Sequence, residues 1–310
     1  MSFKKYIEEY PNNKFSIIVG SGFHLNIIKE YNPLTCWKCL LSSLPNSRLI
    51  SSNNLLAFEE IIQENTKIQG EKNCDKIEKN LLKNISTKIS QLQTFYINQK
   101  FEEYSNVVSL INPNFISDVI SLNFDTTIET IFRKIHNIKR TRLVSGVKPS
   151  IKKYGHTFVY FEYKIENNII RFWYPHGSID KPTSLILSNR SYSNYLSVIE
   201  NVRKKYKEIE NQSKQNEIGK ESLTWISQII NNPILIIGAG LSYEELDLWS
   251  LLIIRERNFS KIQNNRCRKP IYQMTIEKIN NVWIERLFEN INNYDAQWGE
   301  LIKILNQSKN

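Results

Sequence analysis

Four histidines, His24, His136, His156 and His176, stand in this chain of 310 residues. His176 sits in a Pro175-His176-Gly177 turn. An imidazole accepts a proton near neutral pH, and a following glycine lets a ligand or backbone come close. A structural or surface histidine is the competing reading. Asn123 and Asp125 lie in SLNFD, two residues apart after an apolar run. Alternate residues of an extended segment face one side, so both can front the same space. An amide and a carboxylate there can bind ribose hydroxyls or hold a polar leaving group. Alternatively, Asp125 caps the helix that follows.

Two glycine turns complete the set. Ser16 to Gly22 reads SIIVGSG, and Asn232 to Leu241 reads NPILIIGAGL. A β-branched run stopping in a glycine turn is how an α/β sheet presents backbone N–H groups to a phosphate. Gly20-Ser21-Gly22 lacks the third glycine of the dinucleotide fingerprint, and Gly238-Ala239-Gly240 is equally short, so either alone also fits a tight turn without a ligand. Two such turns facing one crevice favour a dinucleotide. Cys36 and Cys39 form one C-x2-C pair without a second, and Cys74 and Cys267 are isolated. A tetrahedral zinc site takes four convergent ligands, so no zinc is expected. The sequence also shows no Walker lysine, no H-E-x-x-H and no Ser-His-Asp pattern.

Composition narrows the class. The formal charge is +10, from 41 Lys and Arg against 31 Asp and Glu. That balance suits anionic ligands, but the lysines are scattered among Glu and Asn. No helix-turn-helix, zinc-finger or aromatic single-strand motif accompanies them, which leaves direct nucleic-acid binding open. No apolar run approaches the roughly 20 residues that span a bilayer, so no membrane partner is expected. The first residues, MSFKKYIEEYPNNKF, contain no apolar signal core. With four cysteines, the expected location is a reducing cytoplasm.

These residues need elements to position them. The pattern predicts strands at Lys14–Val19, Asp118–Leu122 and Ile234–Ile237, and a last strand at Pro270–Met274. A strand pair is expected between Arg140 and Phe172, turning at Asn167-Asn168. Helices are expected at Phe23–Tyr31, after an N-cap at Thr35, at Thr126–Ile135, Ser191–Gln212, Glu221–Ile230 and Tyr243–Arg257. The last begins in acids and ends in Arg255 and Arg257, as the helix dipole favours. Residues 53–110 contain one glycine and no proline, with helical apolar spacing, and read as two or three inserted helices. Terminal helices are expected over 275–310, where Trp283, Leu287, Trp298, Leu301 and Ile304 are core or interface candidates. Strands alternating with helices give an α/β, Rossmann-like, mainly parallel doubly wound sheet, read as one domain over 1–310.

Taken in order, these segments resemble the SIR2-like (sirtuin-like) NAD-binding family. VGSGFHLN at Val19 to Asn26 looks like its first phosphate loop, SLNFD like the segment beside the nicotinamide ribose, PHGS like the segment of the catalytic histidine, and IIGAGLSYEELDLW like the C-terminal loop that closes on the cofactor. The family's deacylases carry four zinc-binding cysteines after the His-Gly segment, whereas this chain has none between His176 and Gly238, and it lacks a GIPDFR continuation. Those departures, with Trp37, Leu40 and Leu41 as a W-x-x-LL segment, resemble the bacterial antiphage-defence branch that hydrolyses NAD+. The resemblance implies His176 as general base, Asn123 at the ribose or attacking water, and Asp125 on the nicotinamide side. It implies Gly20, Ser21, Gly22 and Asn26 at the pyrophosphate, Gly177 beside the base, and Gly238, Gly240 and Leu241 on the adenosine side. It also implies gating by a homo-oligomer or by a separate ATPase/helicase-type or Argonaute-type partner, because a chain of this length is expected to lack a large fused sensor. A transferase, or a sensor without chemistry, would use the same loops.

Overall fold

The computed structural model describes residues 9–10, 13–48, 51–70, 73–145, 155–212, 224–241, 245–260, 271–274 and 291–294. An eight-stranded sheet organises them: β1 (Phe15–Val19), β2 (Ile116–Ser121), β3 (Leu143–Ser145), β4 (Val159–Ile165), β5 (Asn168–Trp173), β6 (Ile234–Ile237), β7 (Ile271–Met274) and β8 (Ile291–Tyr294). The spatial order is β3-β4-β5-β2-β1-β6-β7-β8. From β5 across to β8 every pairing is parallel, while β4 runs antiparallel to both β3 and β5. The chain runs from β1 to its neighbour β2, crosses to the edge strand β3, comes back through β4 to β5 beside β2, and then places β6 on the other flank of β1. This reversal is the switch point where doubly wound sheets open a crevice beyond their strand C-termini.

Alternation along the strands feeds two cores. One face buries Phe15, Ile17 and Val19 of β1 with Ile170, Phe172, Leu235 and Ile237. The helices over it are α1 (Gly22–Ile28), α2 (Trp37–Ser42), α3 (Asn54–Gln69), α4 (Cys74–Gln99), α5 (Phe101–Val108) and α6 (Thr127–Ile135). The opposite face buries Ile18, Ile120, Trp173, Ile234 and Ile236. Over it lie α7 (Asn189–Gln212), α8 (Trp225–Asn231) and α9 (Leu246–Ser260). A register shift between Phe15 and Ser16 puts Asp118 opposite Ser16, so Ile116 and Val119 both belong to the first core despite their odd spacing.

The structure shows the mainly parallel α/β sheet expected from sequence and refines its boundaries. The region 53–110 forms three helices, α3 to α5. Helix α1 stops at Ile28, because Lys29 takes a left-handed conformation with φ 60°. Cys36, not Thr35, caps α2: its sulfur accepts the Cys39 N–H, while the Thr35 hydroxyl donates to the Glu30 carbonyl at 3.0 Å. The β4–β5 hairpin turns at Glu166-Asn167, since Ile165 pairs Asn168 and Glu166 has φ 53°. Helix α8 begins at Trp225 behind a Thr224–Ser227 capping box, and residues 221–223 lie outside the described residues, as do 242–244 ahead of α9. Arg255 is no surface complement to a helix dipole. It is 1 % exposed, and its guanidinium donates to the Ile229 and Ile230 carbonyls at the end of α8. Strand β7 is not the last: Ile291–Tyr294 adds β8 within the stretch expected to be helical, and 275–290 and 295–310 lie outside the described residues.

Candidate functional site

The four motifs converge because their strands are parallel neighbours. Gly20 follows β1, Asn123 stands two residues past β2, His176 three past β5, and Gly238 directly follows β6. All four therefore emerge on one edge of the sheet. A cavity of about 250 Å³ opens there, lined by Gly20, Ser21, Trp37, Asn54, Leu55, Leu122, Asn123, His176, Ile186, Tyr192, Gly238, Ala239, Gly240 and Glu245. An annex of about 30 Å³ adjoins it, sharing Ser21, Trp37, Leu122 and Asn123 and adding Cys36, Phe124 and Asp125. A larger groove of about 310 Å³ lies between α4 and the start of α7, where Arg190 pairs Asp75 at 2.8 Å. It contains none of the residues singled out by sequence.

The two glycine turns hold each other. The Gly20 N–H donates to the Ile237 carbonyl at 2.9 Å, and the Gly22 N–H to the Gly238 carbonyl at 2.8 Å. A side chain at Gly20 would sit 2.6 Å from Ala239 Cα, and one at Gly238, where φ is +62°, 2.2 Å from the Phe23 nitrogen. These glycines are required by turn-on-turn packing. Two of the first turn's three N–H groups are thereby occupied, leaving that of Ser21 as the one without a backbone acceptor among the described residues. Gly22 is therefore outside the cavity lining.

Other sequence candidates also sit differently from expectation. Gly177 has φ +86°, and a Cβ there would meet the Ser184 carbonyl oxygen at 2.1 Å, so the close approach it permits is to the 182–184 turn. Leu241 is 1 % exposed and packs in the second core, and Asn26 on α1 does not line the cavity. Asn123 and Asp125 separate: Asn123 fronts both spaces, Asp125 only the annex. The Asn123 side-chain nitrogen is buried without a hydrogen-bond partner among the described residues. A buried donor left unpaired costs about 1–3 kcal/mol, so it marks a place for a ligand acceptor.

His176 is 6 % exposed and leads into a buried chain of polar groups. Its Nε2 meets Asp247 Oδ2 at 2.8 Å, and the Tyr192 hydroxyl donates to Asp247 Oδ1 at 2.7 Å. Burial opposes protonation of the imidazole. The Asp247 carboxylate, with smaller help from Glu245 and the Leu122 carbonyl, outweighs it and holds the His176 pKa above its ordinary 6.5. Burial likewise disfavours the Asp247 anion, yet His176 and Tyr192 bring its pKa below the usual carboxylate value. Asp247, Tyr192 and Glu245 were not anticipated. The signal for Glu245 and Asp247 was the acidic run at the start of α9, which sequence reading assigned to the helix dipole; Tyr192, on α7, carried none.

A second relay was missed altogether. His24 on α1 is fully buried, with Nδ1 2.9 Å from the Tyr104 hydroxyl and Nε2 2.9 Å from Asp125 Oδ2. Burial and the Asp125 charge raise the Tyr104 pKa, so Tyr104 keeps its proton beside this pair. Asp125 Oδ1 accepts the Thr127 N–H at 2.9 Å, which is the helix-capping alternative realised. Burial opposes its charge, but His24 and Thr127 more than compensate and keep it ionised.

Against this geometry stands one comparison. A family model described as SIR2-like domain matches residues 117–265. Residues 117–265, from β2 through α9, are thus similar to a SIR2-like domain, and such domains use NAD+. The first glycine turn lies outside the matched segment and joins it because β1 is inserted between β2 and β6. No curated protein matches the chain. Among the described residues no group of three or more His, Cys, Asp or Glu could hold a metal ion, and no helix is long and apolar enough to cross a membrane.

Proposed function

We propose that this chain is an NAD+ glycohydrolase, cleaving the nicotinamide–ribose bond to give nicotinamide and ADP-ribose. One observation carries the reading: the unpartnered Asn123 amide nitrogen and the carboxylate-backed His176 front one cavity at the switch point, beside both glycine turns. The bond breaks through an oxocarbenium-like state, and the cationic ring leaves as neutral nicotinamide. Asn123 positions the ribose or the attacking water. His176 takes the proton released as the water oxygen bonds to the anomeric carbon, and Asp247 stabilises the imidazolium that forms. Asp125, fixed as an anion in the annex wall, faces the side on which the nicotinamide leaves. The Ser21 N–H and the Gly238–Gly240 turn serve the phosphates and the adenosine half.

In this reading residues 1–310 act as one unit in the cytoplasm, with 53–110 as a helical insert. The activity depletes NAD+ in antiphage defence and is gated by self-assembly or by a separately encoded ATPase/helicase-type or Argonaute-type partner, since an ungated NAD+ hydrolase would kill its host. The test is purified protein incubated with NAD+, with and without DNA and over a concentration series, with nicotinamide and ADP-ribose quantified by chromatography. Equimolar release of both supports hydrolysis. Nicotinamide with ADP-ribose attached to an acceptor would make it a transferase, and saturable NAD+ binding without products under every condition would make it a sensor.

A further inference from the structure

One pair of nucleophilic side chains has no part in that chemistry. Cys36 caps α2, and Cys39 lies three residues on, across the first helical turn. The Cys36 sulfur accepts the Cys39 N–H at 3.5 Å. Burial first, and then the neighbouring Cys36 side chain, raise the Cys39 pKa. Both are partly accessible. Sulfur is a weak acceptor where Ser, Thr, Asp or Asn normally caps a helix.

The pair also touches the candidate site. Cys36 lines the annex, and the intervening Trp37 lines both the annex and the main cavity. The Trp37 ring packs edge-on against Phe124, with centroids 5.3 Å apart. A disulfide holds its two Cβ atoms about 3.5–4.5 Å apart, and Cys36 enters the bond from an extended N-cap conformation, φ −150°, just ahead of the helix. Closing the bond therefore fixes the Cys36–Cys39 turn in one geometry. Trp37 is the first residue of the turn that must adjust.

We propose that Cys36 and Cys39 form a reversible dithiol–disulfide site whose closure shifts Trp37 in the wall shared by the cavity and the annex. The oxidant is a low-molecular-weight disulfide. The Cys36 thiolate attacks one of its sulfurs, the reagent's S–S bond breaks, and one thiolate leaves. Cys39, giving its proton to solvent, then attacks the Cys36 sulfur, and the second thiolate leaves. The chain loses two electrons and two protons, and the reagent becomes two thiols. Such a bond in a reducing compartment is transient and redox-sensing. An effect on turnover rests on the proposed NAD+ cleavage, whereas the disulfide and the Trp37 shift do not.

The experiment uses the full chain with Cys74→Ser and Cys267→Ser, equilibrated in glutathione redox buffers, alkylated and analysed by intact mass and peptide mapping. The expected product is an intramolecular Cys36–Cys39 bond, reversed by dithiothreitol. Adding Cys36→Ser or Cys39→Ser converts it to a glutathione adduct on the remaining cysteine. Tryptophan emission changes on oxidation, and Trp37→Phe removes that change. Oxidation lowers nicotinamide release by about 10- to 100-fold, the scale of a displacement near 1 Å in a reacting site, and the double variant Cys36→Ser/Cys39→Ser loses this redox dependence. Glutathione adducts without the internal bond, or no reaction, would overturn the site. The internal bond with unchanged emission and unchanged turnover would overturn its coupling to Trp37. A disulfide with the emission change, but no NAD+ cleavage in either state, would sustain this proposal and defeat the proposed function instead.

Discussion

Two buried histidine–aspartate pairs flank the site, and they are built in opposite order. At His176 the imidazole fronts the cavity, the Asp247 carboxylate stands behind it, and Tyr192 anchors the carboxylate. At Asp125 the carboxylate fronts the annex, the His24 imidazole stands behind it, and Tyr104 anchors the imidazole. The contacts are nearly equal in length, 2.8 and 2.9 Å. What differs is which partner meets open space. A fronting imidazole with an anion behind it exchanges a proton with a ligand. A fronting carboxylate held by an imidazole and by the Thr127 N–H keeps its charge fixed. Residue types alone therefore do not assign a role to a His–Asp pair; the direction in which it faces does.

Substitution at the first pair carries the largest expected effect. His176→Ala lowers nicotinamide release by about 10²–10⁴-fold, the usual worth of a general base, in a variant that still melts cooperatively, at a lower temperature because Asp247 loses its buried partner. Full turnover in the folded variant would remove the distinction between the pairs. Between them, Asn123→Ala lowers the catalytic constant by about 10- to 100-fold and weakens NAD+ affinity far less, because its donor acts at the reacting ribose. Calorimetric affinity set beside turnover decides this, and the reverse split would move Asn123 away from the chemistry.

The Asp247→Asn change sharpens the comparison through pH. The base form of His176 predominates only above its raised pKa, so activity falls as pH drops through that value. Without Asp247, burial is opposed only by the smaller help of Glu245 and the Leu122 carbonyl, and the acid limb of the rate profile moves to lower pH while the maximal rate falls about tenfold or more. Stability runs the other way. A raised folded-state pKa stabilises the native state below the unfolded histidine value, and this is lost as pH rises through the folded value. The Asp247 contribution, from a depressed pKa, is lost only as pH falls through that depressed value in acid. The melting-temperature gap between wild type and Asp247→Asn is therefore widest at mildly acidic pH and narrows toward alkaline pH. A gap that widens there would contradict the assigned pairing.

His24→Phe has the smallest expected effect on turnover, because its imidazole stands behind Asp125 and does not line the cavity. Its cost is in stability, because the Asp125 and Tyr104 groups each lose a buried partner at about 1–3 kcal/mol. A denaturant melt and a nicotinamide assay on the same preparation separate the two effects. A folded variant losing as much turnover as His176→Ala would make the second pair an equal participant.

Sequence on its own determined the strand–helix alternation, the segments that end in Gly20, Asn123, His176 and Gly238, and the helical character of 53–110. Those follow from local apolar periodicity and turn chemistry, which neighbouring residues fix. Helix ends at Lys29 and Cys36 were harder, because a left-handed lysine and a sulfur cap break the usual residue preferences. Strand order is a different matter. Placing β1 between β2 and β6 brings residues more than 200 positions apart into one edge, and nothing local encodes that neighbour relation. The partners of the histidines were decided in the same way. Asp247 lies 71 residues from His176, and Asp125 lies 101 from His24. Only the tertiary structure could turn one carboxylate behind an imidazole and the other in front, because burial and facing direction come from packing on opposite sides of the sheet.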